Sequence, residues 1–206
     1  MRRRTQDGRT RREFLAAFLA VPALFLFDRF EGLEAFAAAA ALEPTPACSD
    51  PEDLTPPQGA GPFFKPRSPE RKSLIEPGTR GARIVLQGRV LSTRCKPIAG
   101  ALMDFWQADA AGRYDNAGYG FRGHQFSDDQ GRYRLETIVP GAYSGRTRHF
   151  HVRVKPPNQA ILTTQLYFPG EPANERDWLY NPKLLISSRD SAGGKAATFD
   201  FVLSGR

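Results

Sequence analysis

The sequence predicts an all-β protein, an antiparallel β-sandwich with long functional loops, preceded by an export signal. Three observations point there. The chain is punctuated by 17 prolines and 19 glycines. Its apolar stretches are short and either alternate or carry β-branched and aromatic residues, with 15 phenylalanines in all. No long amphipathic run repeats with helical period. A chain of 206 residues, 40% of them hydrophobic, buries one good core and is short for two domains once a leader is subtracted.

Residues 1–40 read as that leader. Arg2, Arg3, Arg4 and Arg9 precede Thr10-Arg11-Arg12-Glu13-Phe14-Leu15, and an apolar run follows over residues 14–27. The pattern is similar to a twin-arginine export signal. The run is short for a bilayer and ends at Asp28 and Arg29, as the apolar region of a signal does, and residues 37–41 supply small residues for cleavage. The expectation is export of the folded protein to the periplasm or beyond, with no stable membrane insertion after processing. A basic arm followed by an amphipathic anchor helix is the competing reading.

Residues 41–60, rich in Pro, Asp, Thr and Gly, read as an extended lead-in, and residues 61–206 as the sandwich domain. Strands are expected over residues 84–91, 101–107, 132–138, 148–154, 163–168 and 198–203, each bounded by Gly or Pro turns. Cys48 and Cys95 are the only cysteines. They form either one disulfide in an oxidising compartment or two buried thiols.

Composition also removes function classes. Of the formal net charge of +7, the leader's seven Arg and five Asp or Glu leave 22 basic against 17 acidic residues for the remainder. The arginines are scattered, without a basic stripe interleaved with stacking aromatics, so no nucleic-acid partner is expected. No Gly-rich phosphate loop joins a strand to a helix, and neither Gly-x-Ser-x-Gly nor His-Glu-x-x-His occurs.

The chemistry has to come from elsewhere. Two of only three histidines form His149-Phe150-His151 within an expected strand, so both imidazoles share one face while Phe150, Val152 and Val154 take the other. Such a pair alone is compatible with a metal site or with an ordinary strand. No cysteine or carboxylate lies close by to complete a zinc or facial-triad set. Tyrosine is available, in Gly112-Arg113-Tyr114 and in Pro140-Gly141-Ala142-Tyr143. The alternatives are a metal-free sandwich binding module, transthyretin-like or carbohydrate-binding, and a cupin-like zinc or ferrous enzyme. His124 reads as a loop histidine at the site mouth, and Trp106 as core or pocket wall.

The stretch Asp104-Phe105-Trp106-Gln107-Ala108-Asp109 through Gly112-Arg113-Tyr114, then Tyr143 and Arg146 before His149-Phe150-His151, resembles the intradiol ring-cleavage dioxygenases of the protocatechuate and catechol type. Gly61-Pro62-Phe63-Phe64 and Thr164-Gln165-Leu166-Tyr167-Phe168-Pro169-Gly170 extend the likeness. The resemblance implies a ferric cofactor, Fe(3+), with Tyr114, Tyr143, His149 and His151 as metal ligands. It implies Arg146 and Gln165 as catalytic residues, and Tyr143 as the tyrosine that leaves when substrate binds. The implied partners are a catechol-type aromatic substrate and O2, the ring being cut between its hydroxylated carbons to a muconate-type diacid; a homo-oligomer is compatible with it. Phenolate oxygens suit a hard ferric ion, and imidazoles complete a mixed shell. A carboxylate on the ring would need a positive partner, for which several loop arginines could serve, Arg113 and Arg122 among them.

Overall fold

The computed structural model describes residues 54–143 and 145–204. The leader, the first part of the lead-in and Cys48 lie outside the described residues. Cys95 is disulfide-bonded, and no cysteine among the described residues is a free thiol. No helix among the described residues is long and apolar enough to cross a membrane.

Nine strands are present among the described residues: β1 (Arg83–Ser92), β2 (Leu102–Trp106), β3 (Arg122–Phe126), β4 (Arg132–Ile138), β5 (His149–Lys155), β6 (Leu162–Tyr167), β7 (Ser187–Ser191), β8 (Gly194–Thr198) and β9 (Phe201–Leu203). They form two sheets, β4-β1-β8-β7 with β9 also on β1, and β3-β2-β5-β6. The second sheet is antiparallel throughout. The first is mixed, because β8 and β9 run parallel to successive halves of the ten-residue β1. Between those halves the chain bends at Phe199 and Asp200 over Gly88, where a Cβ would stand 1.9 Å from the Phe199 carbonyl oxygen.

Period-two alternation decides which side chains meet between the sheets. Ile84, Leu86 and Val90 of β1 and Tyr133 and Leu135 of β4 face Met103 and Phe105 of β2, Phe150, Val152 and Val154 of β5, and Leu166 of β6. Burying each such side chain contributes about 1.5–3 kcal/mol. The alternate residues of β2, β5 and β6, namely Trp106, His149, His151, Gln165 and Tyr167, therefore lie on the outer face of the second sheet. They are nonetheless buried, at 3% exposure or less. A second layer of chain must cover them.

The lead-in supplies part of that layer. Its described part is docked on the sheet: Gln58 donates its backbone N–H to Thr163 O (2.7 Å), and Thr164 Oγ1 donates to Pro56 O (2.7 Å). Three strands were not foreseen. In Arg122-Gly123-His124-Gln125-Phe126 there is no apolar alternation to read, because its inward positions are Gln125, which is polar, and Gly123, where a Cβ would meet Arg71 Cγ at 2.8 Å and Leu74 Cδ2 at 2.9 Å. β7 and β8 form a short polar hairpin at a sheet edge, whose faces carry serines and alanines rather than large apolar groups.

Candidate active site

His149 and His151 sit two residues apart on β5, with Trp106 and Gln165 flanking His151 and Tyr167 opposite His149. His149 Nδ1 lies 2.7 Å from the Thr147 carbonyl oxygen. Only an N–H can satisfy that acceptor, so the Nε2 of His149 carries the free lone pair. That Nε2 is 3.2 Å from Nε2 of His151. The indole of Trp106 stacks on His151 at 4.9 Å with its plane 4° away, fixing the second ring as the backbone carbonyl fixes the first. Burial pushes the His149 pKa down to about 4, and burial together with neighbouring His149 holds His151 well below the usual histidine range. Both imidazoles are neutral at pH 7, the form that binds metals.

The tyrosines arrive on loops. Tyr114 follows the turn Asp109-Ala110-Ala111-Gly112-Arg113, in which Asp109 Oδ1 accepts the N–H groups of Ala111 (2.8 Å) and Arg113 (2.9 Å). The same turn recurs as Asp128-Asp129-Gln130-Gly131-Arg132 before Tyr133, with Asp128 Oδ1 accepting from Gln130 and Arg132. One turn sends its tyrosine into the core, where Tyr133 Oη donates to Phe199 O (2.8 Å); the other sends its tyrosine to the histidines. Gly112 has φ +79°, and a Cβ there would lie 2.3 Å from Ala142 O and 3.3 Å from Tyr143 Cβ. The two tyrosine loops thus pack backbone against backbone, which glycine alone permits. As a result Tyr114 and Tyr143 meet edge to face at 5.5 Å, Tyr114 approaches His151 at 6.2 Å, and Tyr143 approaches His149 at 5.9 Å, all between ring centroids.

Arg146 and Gln165 also come together. Arg146 Nη2 donates to Gln165 Oε1 (2.6 Å), and Arg146 Nε donates to both oxygens of Asp177 (3.0 and 2.9 Å). Asp177 is completely buried and was missed by sequence reasoning, as was Thr147, whose N–H donates to Asp177 Oδ2 (2.9 Å). Asp177 stands in Glu175-Arg176-Asp177-Trp178, where nothing in the sequence marks it out. The repeated Asp-x-x-Gly-Arg-Tyr turn, in contrast, was a readable signal for where Tyr114 is held.

Three expectations need correction. His124 is not in a loop: it lies in β3 opposite Asp104, with Nδ1 2.7 Å from Ser68 O. Arg113 turns outward, its side chain 79% exposed and paired with Asp109 at 2.9 Å. Arg122 is a strand residue only 1% exposed. Its Nη1 donates to Phe63 O (2.6 Å), and its Nε and Nη2 donate to Asp115 O (3.2 and 3.1 Å). Neither arginine is free to meet a carboxylate on a ring. Trp106 is buried with its indole against His151.

The donors present fit a hard metal ion. Among the described residues no three of His, Cys, Asp and Glu cluster as a metal site, so an ion at the histidine pair would have to draw on phenols. Tyr114 Oη is buried without a hydrogen-bond partner, and buried polar groups without partners are rare in native proteins. Burial, with Tyr143 alongside, pushes the Tyr114 phenol above its ordinary range, a shift that a cation at this point would reverse.

A sandwich that gathers two neutral imidazoles, two phenols and a buried arginine under loops on one sheet's outer face defines a class of protein, the β-sandwich with a tyrosine- and histidine-lined site. Comparison with known proteins narrows it. A family model described as Dioxygenase matches residues 60–205. The chain belongs to the intradiol ring-cleavage dioxygenase family. It is 32% identical over 155 residues to the protocatechuate 3,4-dioxygenase beta chain of Burkholderia cepacia, covering 61% of this chain and 66% of that one. It is 29% identical over 182 residues to 6-chlorohydroxyquinol 1,2-dioxygenase of Cupriavidus pinatubonensis, covering 75% and 66%. The chain thus spans just under two thirds of the length of these relatives. Among solved structures, the dioxygenase domain of a dioxygenase carbohydrate-binding protein fusion from the cellulolytic bacterium Streptomyces sp. SirexAA-E superposes with a TM-score of 0.73 at 52% identity, over 74% of this chain and 99% of that one.

Proposed function

We propose that the protein is an exported non-haem Fe(3+) dioxygenase that cleaves catechol-type rings between their hydroxylated carbons with O2, giving muconate-type diacids. The observation that carries this reading is the convergence of His149 Nε2 and His151 Nε2, 3.2 Å apart, beneath the rings of Tyr114 and Tyr143. Those four side chains would hold the ion. When bound, ferric iron would supply a Lewis acid that takes up the two ring oxygens and activates the ring toward oxygen. His149 stays neutral and aimed because Thr147 O fixes its Nδ1–H. Tyr143 Oη would lie where it could accept a proton from a substrate hydroxyl. Arg146, held on one side by Asp177 and on another by Gln165, is a preorganised cation beside His149 for negative charge that develops on the substrate.

The cations bordering the site favour a ring without a carboxylate. Arg148 is paired with Glu171, Arg122 is bonded to backbone carbonyls, and Arg113 is turned outward beside Asp109. A carboxylated ring would have to break one of these pairs or bury an unpaired charge. The export reading rests on residues 1–40, and N-terminal sequencing of the secreted form tests it.

The deciding experiment is the visible spectrum of the iron-loaded protein, titrated without oxygen with catechol and with protocatechuate. A tyrosinate-to-iron band that moves to longer wavelength, with tighter binding of catechol, is expected. A colourless protein that takes up no ferric iron would overturn the dioxygenase reading, and tighter binding of protocatechuate would overturn the uncharged-ring preference alone.

A further inference from the structure

The two site tyrosines are held very differently. The ring of Phe63 lies flat on Tyr114, at 4.3 Å and 12°. That stack is tied at both ends by Arg122, which bonds the Phe63 carbonyl through Nη1 and the Asp115 carbonyl, one residue past Tyr114, through Nε and Nη2. Asp115 is itself pinned, its carboxylate accepting from the N–H groups of Ala117 (3.0 Å), Gly118 (2.7 Å) and Gly120 (2.8 Å). Lys65 Nζ adds a second tie between the same two segments by donating to Ala117 O (2.8 Å) and Gly118 O (2.9 Å). Among the described residues Tyr143 has no such clasp. Phe63 meets it only edge-on, at 5.8 Å and 76°, and it leads into Gly145, at φ +77°, around which nothing lies within 4 Å of a Cβ position.

We propose that Arg122 is a positioning residue: by stapling the Phe63 carbonyl to the Asp115 carbonyl it clamps Phe63 onto Tyr114, so that an incoming ligand displaces Tyr143 instead. The inference rests on the ferric site proposed above. Arginine is suited to this task because its planar fork bonds two carbonyls in fixed directions, which the single ammonium of lysine does not.

The test uses full-length protein carrying 3-fluorotyrosine, with the Tyr114 and Tyr143 fluorine signals assigned by Tyr→Phe variants. In metal-free protein the stacked Phe63 ring displaces the Tyr114 signal. Arg122→Lys and Phe63→Leu are each expected to return that signal toward the value of a solvent-exposed tyrosine while the Tyr143 signal stays in place. An unmoved Tyr114 signal in Arg122→Lys overturns the clamp whether or not the protein binds iron. On the Tyr143→Phe background with ferric iron, either substitution is expected to weaken iron binding about tenfold, the usual loss for a residue that orients a ligand. The single tyrosinate band, steady under anaerobic catechol in Tyr143→Phe alone, is then lost on catechol addition. Phe63→Leu leaves every Arg122 bond in place, so if Arg122→Lys fails to unfold cooperatively, the Phe63→Leu result decides: iron affinity and band both unchanged overturn the proposal. If the wild-type protein itself takes up no ferric iron, the proposed function fails, and the fluorine result still decides the clamp.

Discussion

Asp177→Asn tests how the cation of the site is held. The Asp177 carboxylate is completely buried and accepts from three groups: Arg146 Nε reaches both oxygens, Thr147 N–H reaches Oδ2 at 2.9 Å, and Leu179 N–H reaches Oδ1 at 3.0 Å. Each oxygen thus faces a backbone donor. An asparagine amide of the same shape must turn its NH2 toward one of them, whichever way it flips. That leaves a buried N–H opposed by another donor, which costs about 1–3 kcal/mol. The ion pair with Arg146 is lost as well, and breaking a buried pair on one side costs about 3–5 kcal/mol in all. Arg146 keeps its bond to Gln165 and is 13% exposed, which argues for the lower end, about 3 kcal/mol. For a domain of this size that is a fall in Tm of about 6–12 °C. The assay is urea unfolding of the metal-free protein, wild type against variant. With Arg146 no longer aimed, kcat falls by about 100-fold, the loss that a misplacement of about 1 Å produces. A stability loss below about 1 kcal/mol would refute the argument, since it would mean the carboxylate is not the anchor its bonds imply.

Three further outcomes are expected. Tyr133→Phe removes one buried bond, to Phe199 O, and costs about 1 kcal/mol in urea unfolding while leaving turnover unchanged, because the core tyrosine of the repeated turn does not reach the site. Gly112→Ala forces a left-handed backbone on alanine and drives its Cβ into Ala142 O, so beyond the roughly 1–3 kcal/mol of strain it separates the two tyrosine loops; the variant binds substoichiometric iron by metal analysis. The metal-free protein loses stability as pH falls, because the unfolded chain protonates His149 near the ordinary histidine value of about 6.5 whereas the folded chain resists until about 4. His149 stability is therefore complete above the unfolded value and is lost across that window, by about 3 kcal/mol in total, with His151 adding to it in the same direction. Urea midpoints from pH 7 to pH 4 that do not fall, or that fall equally in His149→Gln, would contradict this.

What was legible in the sequence follows from how each residue is held. Strands β1, β2, β4, β5, β6 and β9 announce themselves because one face of each is pressed into the core and needs apolar residues at period two. The histidine pair is legible for the same reason: a spacing of two on a strand puts both rings on one face. β3 is illegible because its inward positions are a glycine lying under Arg71 and Leu74 and the polar Gln125. Tyr114 and Tyr143 are visible in the sequence as available phenols, but their role as ligands comes only from family resemblance, since their approach depends on contact between Gly112 and Ala142, thirty residues apart in sequence.

Arg122 and Asp177 show why buried charge misleads a reader of sequence. An arginine between Phe121 and Gly123, beyond a glycine-rich stretch, looks like a solvent-facing cation ready for an anionic ligand. In the fold its partners are carbonyls 59 and 7 residues away, and its charge is spent on backbone, not on substrate. Asp177 is the converse: a carboxylate in a polar segment that proves to be the fixed anion against which Arg146 is aimed, 31 residues away. A charge on the outer face of a sheet tolerates burial only when long-range partners satisfy every donor or acceptor it has. In this site those partners lie in the same loops that carry the tyrosines, so the bonds that make the charges tolerable also set the positions of the rings. Substituting either charge is therefore expected to disturb metal binding and stability together, whereas truncating the exposed Arg113, whose pair with Asp109 is worth about 0–1 kcal/mol, is expected to disturb neither.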